Sequence, residues 1–294
     1  MMKGLIKELL KKLFYQLAVT ALNTSNKQAG RIGIIEAITL IVPNISDQFS
    51  TWTVEMKSAY DVTKIRSIHA FQVSLALLAL EKVSNEVTKD VVSVVDIGDS
   101  SGTHVKYLKE LYSDSINKKV EFISVNLDSD AVQKISKKGG RAIKSRAENL
   151  HENSEYKQHP DLYLSFQMLE HLFDPVSCLR SLALNTSTNY FVVTVPYVNQ
   201  SRVGLKHLRK SYSRGRFKEI NAENTHIFEL SPEDWKLIFR FSGWKTIHEE
   251  IFYMYPTKHW LWYFRYALRR YDFEGFYGVV LQKSLKESEL YKDW

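Results

Sequence analysis

The sequence predicts an α/β protein: a doubly wound, mostly parallel sheet with a helical N-terminal cap. Three observations carry this. From residue 91 onward, short β-branched and aromatic runs recur at 91–95, 120–125, 162–166, 190–195, 246–253 and 275–281. The first of them lack polar alternation, which marks strands covered on both faces. Helix-forming segments separate the earlier runs, and strands alternating with helices wind into a parallel sheet. Residues 1–88 read as helices joined by loops.

In chain order, residues 1–22 set Leu5, Ile6, Leu9, Leu10, Leu13 and Phe14 at helical spacing, with Lys3, Lys7, Lys11 and Lys12 between them. Such a helix either docks on its own protein or lies on a membrane surface. Gln16 interrupts the apolar run and no cleavage site follows, which argues against a signal peptide. Gly30 and Pro43-Asn44 mark breaks. The stretch 65–83, with Ile68, Phe71, Val73, Leu75, Leu77, Leu78 and Leu80 and no proline or glycine, reads as a buried helix. Asp174-Pro175 supplies a capping side chain followed by proline at the first helical position. Ser231 and Asp234 stand at capping-box spacing, and Gly243 ends that helix. The expected organisation is a cap over 1–88, an α/β domain over 89–283 with insertions at 198–222 and 256–274, and a tail over 284–294.

Of the 294 residues, 44% are hydrophobic and 25% charged, an ordinary balance for a chain that builds its own core. Cys178 is the single cysteine, which excludes a disulfide framework and a cysteine-built zinc site and suits a cytoplasmic location. No metal site is expected from the residues. No apolar run approaches the ~20 residues needed to span a bilayer. The net charge is +7, and its excess is concentrated. Arg202, Lys206, Arg209, Lys210, Arg214, Arg216 and Lys218 are opposed only by Glu219. Lys258, Arg265, Arg269 and Arg270 interleave with Trp260, Trp262, Tyr263, Phe264 and Tyr266. Basic residues beside aromatics suit an anionic partner, nucleic acid among them, or a solvated insertion.

Ligands of a doubly wound sheet bind beyond the carboxyl ends of its strands. There the first strand runs into Asp96-Ile97-Gly98-Asp99-Ser100-Ser101-Gly102, whose glycines let backbone approach a ligand closely. The turn lacks the glycine register of a dinucleotide fold. It resembles instead the D-x-G-x-G-x-G turn of class I S-adenosylmethionine-dependent methyltransferases, with Ser100 at the central glycine. Phe166-Gln167-Met168-Leu169-Glu170-His171 followed by Asp174-Pro175 looks like the fourth strand and loop of the ubiquinone-biosynthesis-like subgroup. Ala147-Glu148-Asn149-Leu150 is similar to that group's loop after the third strand. Asn224-Thr225-His226, then Ser231-Pro232 and Phe241-Ser242-Gly243-Trp244, resembles the approach to its sixth strand. The resemblance covers about 90–283 and implies a seven-stranded Rossmann-like sheet.

It also implies S-adenosylmethionine as cofactor, held by Asp96, Gly98, Asp99, Ser100, Ser101, Gly102, Asn126, Leu127, Ala147, Glu148, Phe166 and Gln167. Two positions depart from the pattern. Asn126 stands where an acidic residue holds the ribose hydroxyls, and Arg146 stands where an aspartate meets the adenine amino group. For the proton that an oxygen or nitrogen acceptor must lose, the candidates are His171, then His226, then Tyr197. His69 and His104 read as structural. The expected acceptor is a small-molecule or glycan-like, lipid-linked anionic compound methylated at oxygen, met at a membrane surface through the N-terminal helix. Two alternatives stand beside this reading. One is a methyltransferase-fold scaffold without catalysis, drawing on Asn126 and Arg146. The other is an RNA methyltransferase, weakened by the absence of an Asn/Asp-Pro-Pro-Tyr tetrapeptide.

Overall fold

The computed structural model describes residues 2–45, 59–113, 118–153, 155–156, 159–204, 225–271 and 274–291. Three helices lead: α1 (Met2–Gln28), α2 (Ile32–Ile41) and α3 (Ala59–Glu86). The sheet then forms from β1 (Val91–Ile97), β2 (Lys119–Asn126), β3 (Ala142–Lys144), β4 (Leu162–Phe166), β5 (Tyr190–Tyr197), β8 (Trp244–Tyr253) and β9 (Gly275–Lys283). Between them lie α4 (Thr103–Ser113), α5 (Ser129–Lys137), α6 (Pro175–Leu184) and α7 (Pro232–Phe241). A two-stranded ribbon, β6 (Arg202–Val203) with β7 (Phe228–Glu229), follows β5, and a short helix α8 (Arg265–Tyr271) precedes β9. All six apolar runs read from the sequence are strands.

The strand order is β3-β2-β1-β4-β5-β9-β8. The chain winds outward from β1 through β2 to β3, then crosses back to β4, so the topological switch point lies between β1 and β4. The sheet is mostly parallel, as expected, with one reversal: β9 runs antiparallel to both β5 and β8. Gly275 opens β9 where a Cβ would fall 2.2 Å from the Phe252 carbonyl oxygen, so only glycine lets the two strands close there.

Alternation along each strand builds two cores, because successive side chains point to opposite faces. Val92, Val94, Leu162, Leu164, Tyr190, Val192 and Val280 face the N-terminal helices and share a core with Ala18, Leu22, Ile38, Phe71 and Leu75. Val95, Ile123, Tyr163, Phe191 and Val193 face the other way, onto Leu179, Trp235, Phe239 and Trp244. Gly278 in β9 provides the seat for α3, since a Cβ there would lie 2.3 Å from Leu75 Cδ1. Arg31, buried between α1 and α2, stacks on Phe71 and Phe252 and pairs with Glu250, tying the cap to β8.

The expected caps form: Asp174 accepts from Ser177 N, and Ser231 from Asp234 N. Trp244 donates its indole N–H to the Leu179 carbonyl at 2.9 Å, which docks β8 on α6. No described helix is long and apolar enough to cross a membrane. Residues 205–222 of the first basic insertion, with Lys206 to Lys218, lie outside the described residues. In the second insertion Trp260, Tyr263 and Tyr266 are exposed, and Arg265 stacks 3.2 Å above the Trp262 ring.

Candidate active site

The turn after β1 takes its shape from its glycines and one carboxylate. Gly98 (φ +89°) and Gly102 (φ +73°) adopt the left-handed backbone that side chains disfavour. Asp99 folds inward: one oxygen accepts from the Ser101 and Gly102 N–H groups at 3.1 and 2.8 Å, the other from the Ser124 hydroxyl at 2.6 Å. Asp99 therefore braces the turn from β2 with three bonds to one carboxylate. Beneath it, Asp96 is buried, and one of its oxygens has no hydrogen-bond partner among the described residues. Burial, reinforced by the charge of Asp99, pushes the Asp96 carboxyl well above the usual carboxylate range.

Asn126, at the end of β2, also serves the turn. Its amide donates to the Asp99 carbonyl at 2.9 Å and accepts from Asp128 N at 2.8 Å. Asp128 is the N-cap of α5. Leu127, at the tip between them, is 54% exposed. Across the sheet edge, Arg146 points outward, 62% exposed, and pairs with Glu148 at 3.6 Å. Ala147 is buried beside them.

On the β4 side, Phe166 ends the strand and Gln167 takes φ +56°, the only non-glycine with positive φ among the described residues. Such strain persists where surrounding structure imposes it. The cause is a polar chain. Gln167 N donates to the Thr194 carbonyl at 2.9 Å and its amide to Thr194 Oγ1 at 3.3 Å. Gln72 of α3 donates to the same hydroxyl and bonds His104 Nε2 at 2.8 Å, and the His104 ring lies 4.7 Å from Phe166. Met168 then folds over the turn, where a Cβ on Gly98 would lie 2.7 Å from Met168 Cγ. Gln72, Thr194 and Met168 escaped the sequence reading. Met168 lies one residue beyond a site position, but no local signal points to Gln72, which comes from the cap.

The loop after β4 carries Glu170 and His171 in a single 3₁₀ turn, Leu169–His171. The Glu170 carbonyl accepts from Ile227 N at 2.7 Å, which brings His226 alongside. The two histidine rings meet edge to face with centroids 4.8 Å apart. His171 Nδ1 lies 2.9 Å from the Thr225 carbonyl oxygen, and since that oxygen only accepts, Nδ1 carries the proton. His226 Nδ1 lies 3.1 Å from Glu229, which is buried and also bound by Arg202. Burial alone would raise the Glu229 carboxyl, but His226 and Arg202 outweigh it and hold it below the usual value. Glu170 is fully buried, and burial with the nearby Glu229 pushes its carboxyl up to about 8.

The structure thus brings His171 and His226 together. Tyr197 packs instead against Tyr253, ring centroids 5.3 Å apart. Burial first, then Tyr253, raises the Tyr197 phenol well above its usual value, so it remains protonated at neutral pH.

No protein-family model and no curated protein sequence matches this chain. Solved structures do. CurJ carbon methyltransferase superposes over 96% of this chain and 71% of its own, with a TM-score of 0.53 at 12% identity. The 1,6-didemethyltoxoflavin-N1-methyltransferase of Burkholderia thailandensis, crystallised with 1,6-didemethyltoxoflavin and S-adenosylhomocysteine, covers 76% of this chain and 81% of its own. Its TM-score is 0.51 at 12% identity. The chain has the class I methyltransferase fold. In this methyltransferase fold the turn from Asp96 to Gly102, the tip of β2 and the Gln167–His171 loop lie together at the carboxyl edge, around the switch point.

Proposed function

We propose that this chain transfers a methyl group from S-adenosylmethionine to an oxygen of a small or glycan-like anionic acceptor. The observation that carries the reading is the strained edge at the switch point. Left-handed Gly98 lies against Met168, the residue after left-handed Gln167, across the β1–β4 crevice, and Asp99 braces the Ser101–Gly102 end of the same turn. Two local features fit the cofactor. Asn126 keeps a second lone pair on its amide oxygen for a ribose hydroxyl. Arg146, turned outward onto Glu148, leaves the adenine side clear. Backbone of Gly98, Ser100, Ser101 and Gly102 would meet the amino-acid end, Leu127 with Ala147 and Glu148 the adenine, and Phe166 with Gln167 the middle.

When bound, the cofactor supplies an activated methyl group and its leaving group. The chain's own work is then to hold an acceptor oxygen in line and to exclude water. His171, with its proton fixed on Nδ1 by Thr225, turns Nε2 into the role of proton acceptor. His226 stands second, oriented by Glu229. Acceptor capture at a membrane surface is supported by Ile6, Leu9, Leu10 and Leu13, which α1 leaves 49%, 58%, 60% and 53% exposed. The stack of half-buried Arg265 on exposed Trp262 supports an anionic, ring-bearing acceptor.

Calorimetry with S-adenosylmethionine and S-adenosylhomocysteine tests this. The expected result is saturable binding of one equivalent, weakened at least tenfold by Leu127→Asp, a substitution at an exposed tip that leaves the core alone. No heat from either ligand with the wild-type chain, or unchanged affinity in the variant together with Gly98→Arg, refutes it.

A further inference from the structure

We propose that Glu170, His171 and His226 form a binding site for one divalent transition-metal ion. Their ligand atoms all lie within 4.8 Å of one another, although 55 residues separate the two histidines. A zinc-class ion bonds nitrogen and oxygen at about 2.0–2.2 Å. Ligand atoms around it therefore stand about 3–4 Å apart, and small side-chain rotations close the difference.

Glu170 provides the independent observation. Its side chain is fully buried, and neither carboxylate oxygen accepts a hydrogen bond among the described residues; His171 Nε2 lies 3.9 Å from Oε1. Buried carboxylates are ordinarily met by donors or by a metal. Among the described residues no helix cap or strand bond uses Glu170 Oε1 or Oε2. The two histidines add the supporting shell that metal ligands require. Each engages Nδ1 with an acceptor, the Thr225 carbonyl for His171 and Glu229 for His226, so Nε2 is the atom that an ion would take, and a bound ion would replace the proton-accepting role of His171 Nε2. Glu229 is itself held by Arg202, so the chain Arg202–Glu229–His226 orients the ring from behind. The Ile227 N–H bond to the Glu170 carbonyl locks the two segments in register.

Two imidazoles and one carboxylate, with coordination positions left over, suit Zn²⁺, Mn²⁺ or Fe²⁺ and leave room for an oxygen ligand. The ion would stand at the sheet edge beyond β4, where an acceptor hydroxyl could coordinate it. That last placement rests on the methyl-transfer reading; the metal site itself does not.

Co²⁺ titration of the chelator-stripped chain, followed by the visible absorption of the bound ion, tests the site. The expected result is one equivalent bound, displaced by Zn²⁺, with Glu170→Gln and His226→Gln each weakening affinity at least tenfold. His151→Gln, at a surface pair 3.6 Å from Glu152, should leave it unchanged. Binding is absent from the wild-type chain, or is equal in the wild type and Glu170→Gln, if the proposal is wrong. Should Glu170→Gln fail to fold, His226→Gln decides, and wild-type affinity there overturns the site. Calorimetry with S-adenosylhomocysteine in the same metal-free sample separates this result from the cofactor reading.

Discussion

Lowering the pH should destabilise the chain through two histidines that the fold holds neutral. His104 lies in the first turn of α4, its ring 4.9 Å from that of His69 on α3. Around them stand Gln72, bonded to His104, Tyr107, 3.3 Å from His69 Nδ1, and Arg66, which donates to Tyr107. Burial lowers the His104 pKa from 6.5 to about 4, against an upward pull from Asp99. Burial, then the charges of His104 and Arg66, holds His69 well below 6.5. The unfolded chain takes up both protons as pH falls through 6.5, whereas the folded chain refuses them until the lowered values are reached. Stability is thus complete above pH 6.5 and is lost from there down toward pH 4. Linkage gives about 2 kcal/mol for His104 between pH 7 and pH 5, and His69 acts in the same direction. Urea unfolding at pH 7, 6 and 5 measures it, with His104→Gln as the reference, because all other titrating groups are common to both chains. The variant should lose about 2 kcal/mol less than the wild type over that range. Identical pH slopes in the two chains would refute the argument that His104 is held neutral.

Two further outcomes follow from the packing and the turn. Gly278→Ala places a Cβ 2.3 Å from Leu75 Cδ1 and 2.5 Å from Phe71 Cζ, an overpacking that should cost about 1–3 kcal/mol by denaturant midpoint; an unchanged midpoint would show that α3 does not seat on β9. Asp99→Ala strips the acceptor from Ser101 N, Gly102 N and the Ser124 hydroxyl, so stability should fall by about 1–3 kcal/mol. S-adenosylhomocysteine affinity should fall with it, and a variant normal in both would remove Asp99 as the brace of the turn.

Much of this was legible in the sequence because it depends on neighbours along the chain. Strands buried on both faces need apolar β-branched residues in a row, and β1, β2, β4 and β5 show them. Asp174 and Ser231 cap helices through N–H groups three residues away, a distance the sequence displays directly. β3 left no trace, since three residues, Ala142–Lys144, are too few for a periodicity. The ribbon of β6 and β7 escaped for the same reason, with two residues in each strand. Asn126 was readable as a departure from a carboxylate, but its two bonds within the turn were not.

Sequence alone determined the alternation of strands and helices, the Gly98 and Gly102 turn, and the identity of the groups at the sheet edge, because these follow from local propensity and burial. Only the tertiary structure decided that β9 reverses between β5 and β8, that Arg146 turns away onto Glu148, and that Gln72 reaches the site from α3. It also decided that the fully buried Glu170 faces His171 and His226. Apart from the surface pair of Arg146 and Glu148, the physical reason is common: each depends on which distant segments share a desolvated space, and that choice is made by the summed packing of the whole chain rather than by any stretch of it.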